Sequence, residues 1–146
     1  ELGQEFLRGA TMEQLEAIKD RISEEDYMRA RYVIGEEQRV LDVCEALKRD
    51  DYETVGARMY ETHWGMSKDY EVSCEELDFL ATVAKECGVT GSRIMGGGFG
   101  GCTINLVKAE LYDGFIAVAK AKFAQKYGHE PKVYSVVISD GARRLI

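Results

Sequence analysis

A run of five glycines in six positions, residues 96–101 with the sequence GGGFGG, constrains the fold more than any other segment. Each glycine gives up side-chain packing and adds conformational entropy to the unfolded chain. Branched apolar residues flank the run, over residues 93–95 and 102–107, and the second flank alternates apolar with polar side chains. The pattern predicts two strands joined by a loop with unusual backbone dihedral angles, or by a loop that another group approaches closely.

The run also satisfies the pattern G-x-G-x-x-G through Gly96, Gly98 and Gly101. A dinucleotide site would need a helix directly after the loop, to receive the pyrophosphate at its N-terminus, but a strand is predicted there. A Walker loop is also excluded, because no Lys followed by Ser or Thr closes the run. Three interpretations stay open: an anion-binding concavity of N–H groups, a bare backbone against which a loop or substrate lies, and a wide bulged hairpin. Phe99, an aromatic residue among glycines, favours a contact surface.

Capping boxes predict where three helices start, at Thr11, Ser23 and Ser73. The first precedes a short helix. The second precedes a long helix to about residue 48, whose expected apolar face carries Val33, Val40, Cys44 and Leu47. The third starts a helix that Gly88 should terminate, with an apolar face of Leu77, Leu80, Ala81 and Ala84. A further helical stripe begins at Tyr52 and is expected to loosen near Gly65.

The C-terminal region reads as a helix followed by a strand. A four-residue ladder predicts the helix, and it consists of Leu111, Phe115, Ala119, Phe123 and Tyr127. Residues 132–138 are rich in valine and read as the last strand. The element order therefore predicts an α+β fold, with helices packed on one face of a small antiparallel sheet.

Composition limits the classes of function. The 146 residues are 45% hydrophobic with a single proline, as expected for one compact domain over residues 1–146. A net charge of −7, with the basic residues dispersed, argues against a nucleic-acid partner. No long apolar run or leader is present, which predicts a soluble chain without a membrane partner.

The four cysteines form no C-x-x-C pair and have no histidine at ligand spacing. We expect Cys44, Cys74, Cys87 and Cys102 to be reduced, buried thiols, and we predict no metal site. His63 is expected to make a structural contact.

Residues 91–103, GSRIMGGGFGGCT, closely resemble the third motif of the GHMP kinases in the form found in galactokinases. Residues 29–39, Thr62 with His63, and the string DYEVS at 69–73 resemble the same family in the same order, as does the string ELD at 76–78. The resemblance spans nearly the whole chain. Tyr32 stands where galactokinases commonly have histidine, and Met95 where they commonly have threonine.

This resemblance implies the C-terminal domain of a GHMP kinase, a ferredoxin-like two-layer sandwich whose N-terminal catalytic and sugar-binding domain is missing. It implies a cytoplasmic enzyme that transfers a phosphoryl group from ATP, with Mg²⁺, to galactose, giving galactose 1-phosphate. No catalytic residue lies in this chain, and the fragment alone should be inactive. The residues expected to line the cleft and support the phosphate loop are Gly96, Gly97, Gly98, Phe99, Gly100, Gly101 and Cys102.

A different class of function fits the same resemblance. A galactokinase-like module could sense sugar and ATP without catalysis and regulate a partner. The full upstream sequence would separate the two, because a sensor need not keep the catalytic residues. In either case the surface facing the missing domain predicts a tendency to self-associate.

Overall fold

The computed structural model describes residues 1–3, 5–141 and 144. Within these residues the chain forms helices and a two-stranded antiparallel sheet. The elements are α1 (Met12–Glu16), α2 (Glu24–Leu47), α3 (Tyr52–Lys68), α4 (Glu75–Glu86), β1 (Gly91–Met95), β2 (Cys102–Leu106) and α5 (Tyr112–Tyr127), with 3-10 turns at Lys19–Arg21 and Ala109–Leu111. The α+β fold class is therefore confirmed.

Two of the three predicted capping boxes start helices through their own side chains. Thr11 accepts the Gln14 N–H while the Gln14 side chain accepts the Thr11 N–H, and Ser23 accepts the Asp26 N–H. The third prediction is correct for the position of the helix but wrong for the cap. The N-cap of α4 is Cys74, which makes no side-chain capping bond, and the Ser73 hydroxyl instead donates to the Asp78 carboxylate.

The predicted apolar face of α2 is wrong. The helix buries Tyr32, Ile34 and Ala46, whereas Val40 and Leu47 are 54% and 49% exposed. A helix of 24 residues carries more than one stripe at helical spacing, and the face that packs on α1 and α3 decides which is buried. In α3 the helix continues through Gly65 to Lys68, so the expected loosening does not occur.

The sheet pairs β1 with β2 so that Met95 faces Cys102 and Gly91 faces Leu106. Helices α3 and α4 pack against it. Ile94 and Ser92 are completely buried in β1, which makes this strand part of the core. Gly91 lies backbone to backbone with Gly56 of α3, an approach that side chains on either residue would prevent.

The predicted last strand is not formed. Residues 132–138 pair with neither described strand, and Val136, Val137 and Ile138 are 77%, 91% and 99% exposed. A hydrogen bond of 2.8 Å joins the hydroxyl of Ser135 to that of Tyr112 at the start of α5. Valine-rich sequence gives a segment strand propensity, but a strand exists only when a neighbouring edge supplies its hydrogen bonds.

The cysteines are free thiols, as expected, but the prediction that they are buried is wrong. Cys44 and Cys102 are exposed, and Cys74 and Cys87 are partly buried. Cys44 lies on the outer side of α2, and Cys102 is the first residue after the glycine loop. Among the described helices, none is both long enough and apolar enough to cross a membrane.

Candidate functional site

The glycine run forms a six-residue loop that joins β1 to β2. Its backbone is left-handed at almost every position: φ is +89° at Gly96, +85° at Gly98, +124° at Gly100 and +94° at Gly101. Residues with a Cβ adopt these angles only at a conformational cost, so the loop depends on its glycines. The unusual composition of this segment is thus explained by backbone geometry.

Phe99 is the exception among these residues, since it holds φ at +56° while carrying a large side chain. Its N–H donates a hydrogen bond of 2.7 Å to the carbonyl oxygen of Val72. Its side chain is 78% exposed. The backbone of the residue is therefore fixed while its ring stays on the surface.

The segment around Val72, between α3 and α4, lies directly against the glycine loop. A Cβ added to Gly98 would stand 2.0 Å from the Val72 carbonyl oxygen, far inside any van der Waals contact. Of the interpretations left open by the sequence, the approach of another loop to bare backbone is observed at Gly98, and the loop also closes a wide antiparallel hairpin. The N–H of Phe99 is used by that contact and is not free to bind an anion.

Close to this contact, the carboxylate of Asp78 gathers three side chains. The hydroxyls of Ser67 and Ser73 donate to its two oxygens at 2.6 Å and 2.5 Å, and His63 Nε2 lies 3.2 Å away. The sequence identified Asp78 only as part of the string ELD, which resembles the family. Its role was missed because its two serine partners come from different segments, the end of α3 and the loop before α4. We call Ser67, Ser73, Asp78 and His63 the Asp78 cluster.

His63 is fully buried, which fits the expected structural contact. Burial lowers the pKa of its imidazole, and this effect outweighs the opposing attraction of the Asp78 carboxylate. The ring is therefore neutral near neutral pH. It packs edge-on against the ring of Trp64 at a centroid distance of 4.8 Å, so the imidazole serves as packing as well as a polar contact.

A second polar cluster ties α2 to α3. The Thr62 hydroxyl donates to Glu36 at 2.9 Å, and Arg39 Nε donates to the same carboxylate at 2.7 Å. The Arg39 guanidinium also lies 5.4 Å from the ring centre of Tyr32, where burial raises the pKa of the phenol to about 12. The tyrosine that replaces a common histidine therefore packs as a neutral core residue.

An open depression lies at the C-terminal end of β2, away from the glycine loop, and is poorly suited to binding phosphate. It is lined by Asp50, Asp51 and Glu53, with Lys108 paired to Glu53 at 2.9 Å. An anion there would meet more negative than positive charge. In the part of the chain that the structure describes, no group of three His, Cys, Asp or Glu side chains could hold a metal ion.

Comparison with known proteins places the chain in a family. The family model described as GHMP kinases C terminal matches residues 44–124, more than half of the chain. A galactokinase of Clostridium acetobutylicum is 44% identical over 137 residues, which are 92% of this chain and 35% of that protein. The human galactokinase is 43% identical over 145 residues, or 99% of this chain and 36% of that protein.

A solved structure shows the same fold. The crystal structure of Lactococcus lactis galactokinase complexed with galactose superimposes with a TM-score of 0.80 and 31% identity, over 87% of this chain and 33% of that one. The chain thus spans about a third of the length of the relatives it matches. By its family motif, its fold and these relatives, the chain belongs to the GHMP kinase family.

Proposed function

We propose that this chain is the C-terminal domain of a cytoplasmic galactokinase, an enzyme that transfers the γ-phosphoryl group of ATP to galactose. In this proposal the glycine loop and Cys102 line the cleft between this domain and an N-terminal domain. The catalytic residues and the sugar-binding site lie outside this chain, which therefore has no activity alone. Support comes from relatives named galactokinase that match nearly its whole length.

The loop geometry carries the proposal. Phosphoryl transfer depends mainly on positioning and on electrostatic stabilisation of the transferred group. A loop that supports a phosphate-binding segment must therefore hold one shape and let a neighbouring backbone come close. The loop at 96–101 has both properties, because its left-handed glycines define a tight path and the Val72 carbonyl holds its centre.

ATP would supply the transferred group. Residues of this chain would contribute a surface against which other groups fit. Glycines at 96, 97, 100 and 101 have open space where a side chain would stand, so a partner loop or a phosphate can lie against them. The exposed ring of Phe99 offers an apolar contact to the neighbouring domain. Mg²⁺ would bind together with ATP in the intact enzyme.

The test is a hybrid kinase in which this chain replaces the matching third of the Clostridium acetobutylicum galactokinase. We expect the hybrid to form ADP only when galactose is present, at a rate well above that of either part alone. The parts are also mixed as separate polypeptides, with association followed by sedimentation. Galactose-dependent ADP formation in the hybrid, and none from this chain alone, is the expected result.

Two outcomes would contradict the proposal. A folded hybrid that binds galactose and ATP without turnover would show that this chain does not complete the active cleft of a galactokinase. A hybrid that folds and binds galactose but not ATP would show that the glycine loop does not support the phosphate side of the cleft. The unaltered Clostridium enzyme is assayed in parallel, to establish that the part of it kept in the hybrid supports catalysis.

A further inference from the structure

We propose that Ser73 and Asp78 are positioning residues for the glycine loop, acting through the Val72 carbonyl that lies between them and the loop. This inference rests on the proposed function and identifies how that loop is held. Neither residue belongs to the glycine-rich motif at 91–103. The inference follows from a continuous series of contacts that runs from α4 to the loop.

The first step is the Asp78 carboxylate itself. Asp78 lies in the first turn of α4, a helix that buries Leu77 and Ala81 in the core, so its backbone is fixed by packing. Its two oxygens accept separate bonds, from Ser67 at the end of α3 and from Ser73 in the connecting segment. A hydrogen bond to an ionised acceptor is stronger than one between neutral groups.

The second step is the segment that precedes Ser73. Glu71 holds φ at +57°, an angle that a residue with a side chain keeps only when its surroundings enforce it. Val72 is held on its N-terminal side by a bond of 2.9 Å from its N–H to the Met66 carbonyl. On the C-terminal side the Ser73–Asp78 bond fixes the next residue. Val72 is thus anchored at both ends.

The third step is the contact with the loop. The Val72 carbonyl accepts the Phe99 N–H at 2.7 Å and lies against Gly98 so closely that no side chain fits there. A loop with left-handed angles at most positions has many alternative conformations when released, because glycine restricts its dihedral angles least. Fixing its centre to an anchored carbonyl selects one of them.

The hydroxyl of Ser67 provides a matched control. It donates to the same carboxylate at nearly the same distance as Ser73 does, but it belongs to α3 and not to the segment that contacts the loop. Ser67→Ala and Ser73→Ala each remove one hydrogen bond to Asp78. They should lower thermal stability similarly and differ in their effect on the loop.

The direct test is hydrogen exchange of the Phe99 amide, followed by NMR in this 146-residue chain. An amide exchanges when its hydrogen bond opens, so the rate reports local opening of the Val72–Phe99 contact. We expect Ser73→Ala to speed exchange about tenfold and Ser67→Ala to leave it within about twofold of the original rate. Ser73→Thr, which keeps the hydroxyl, should restore slow exchange.

The consequence for catalysis is measured in the hybrid kinase. Ser73→Ala should raise KM for ATP about tenfold and leave KM for galactose nearly unchanged, because the loop is assigned to the phosphate side of the cleft. Equal exchange rates at Phe99 in the two alanine variants would overturn the inference. Altered exchange with unaltered kinetics would support the positioning role and contradict the assignment of the loop to the phosphate side of the cleft. An inactive hybrid with the expected exchange difference would instead contradict the proposed function and leave the positioning role standing.

Discussion

At Gly98, two independent constraints exclude any other residue. Its φ of +85° lies in the left-handed region, and a Cβ there would stand 2.0 Å from the Val72 carbonyl oxygen. A left-handed angle alone costs a residue with a side chain roughly 1–2 kcal/mol, and the backbone clash adds to this. Gly98→Ala should therefore lower the free energy of unfolding by about 2 kcal/mol or more, measured by urea denaturation.

The neighbouring Gly97 gives the control for this prediction. Its φ is not left-handed, and nothing lies within 4 Å of the place a Cβ would occupy. Gly97→Ala should change stability by less than about 0.5 kcal/mol. If both variants were equally stable, the close contact between Gly98 and the Val72 carbonyl would not exist in solution.

Helix α3 and strand β1 approach each other through glycine. A Cβ on Gly56 would stand 1.9 Å from the carbonyl oxygen of Thr90, the residue before β1. Within a helix, replacing glycine by alanine normally stabilises by up to about 1 kcal/mol. Here the cost of overpacking, typically about 1–3 kcal/mol, should exceed this helix benefit, because the clashing atom belongs to the backbone and cannot rotate away. Gly56→Ala should therefore destabilise the chain.

A matched substitution in another helix separates the two effects. Gly114 lies in α5, and nothing lies within 4 Å of the place its Cβ would take, so Gly114→Ala should keep only the helix benefit. In thermal denaturation the melting temperature should fall for Gly56→Ala and rise for Gly114→Ala. A gain in stability from Gly56→Ala would mean that α3 can move away from β1 without loss.

The elements that the sequence predicts best are those specified by local chemistry. Thr11 and Ser23 cap helices by bonding residues three positions ahead, and Gly128 ends α5 in a left-handed conformation. What fails depends on distant partners. The Ser73 hydroxyl bonds Asp78 in preference to the nearby helix N–H groups, and only the folded arrangement of α3 and α4 reveals this choice.

At the candidate site, too, the sequence predicts local features and misses those that depend on distant partners. The sequence predicts the strand–loop–strand and the need for a close approach at the glycine run, because glycine content is a local signal. It does not identify Val72 as the approaching group, since 27 positions separate the loop's bonded residue, Phe99, from this carbonyl. Nor does it predict that residues 132–138 remain unpaired, because strand propensity says nothing about which edge is available.

The surface of the whole molecule carries an apolar segment that nothing in the described structure covers. Its exposed side chains are Val133, Tyr134, Val136, Val137 and Ile138, at 44%, 66%, 77%, 91% and 99%. An unpaired, valine-rich segment offers free backbone N–H and C=O groups together with apolar area, a combination that favours pairing between chains. The net charge of −7 opposes association over long distances and is screened by salt.

We therefore expect the isolated chain to self-associate, with sedimentation equilibrium showing an apparent mass that rises with protein concentration and with salt. The variant Val136→Lys/Ile138→Lys should stay monomeric under the same conditions, because charge on this segment opposes edge pairing. Val40→Lys/Leu41→Lys makes the same change in net charge at two exposed positions of α2 and should still associate. If the α2 variant were the monomeric one, the exposed face of α2 would be the contact surface, and the unpaired segment would play no part in assembly.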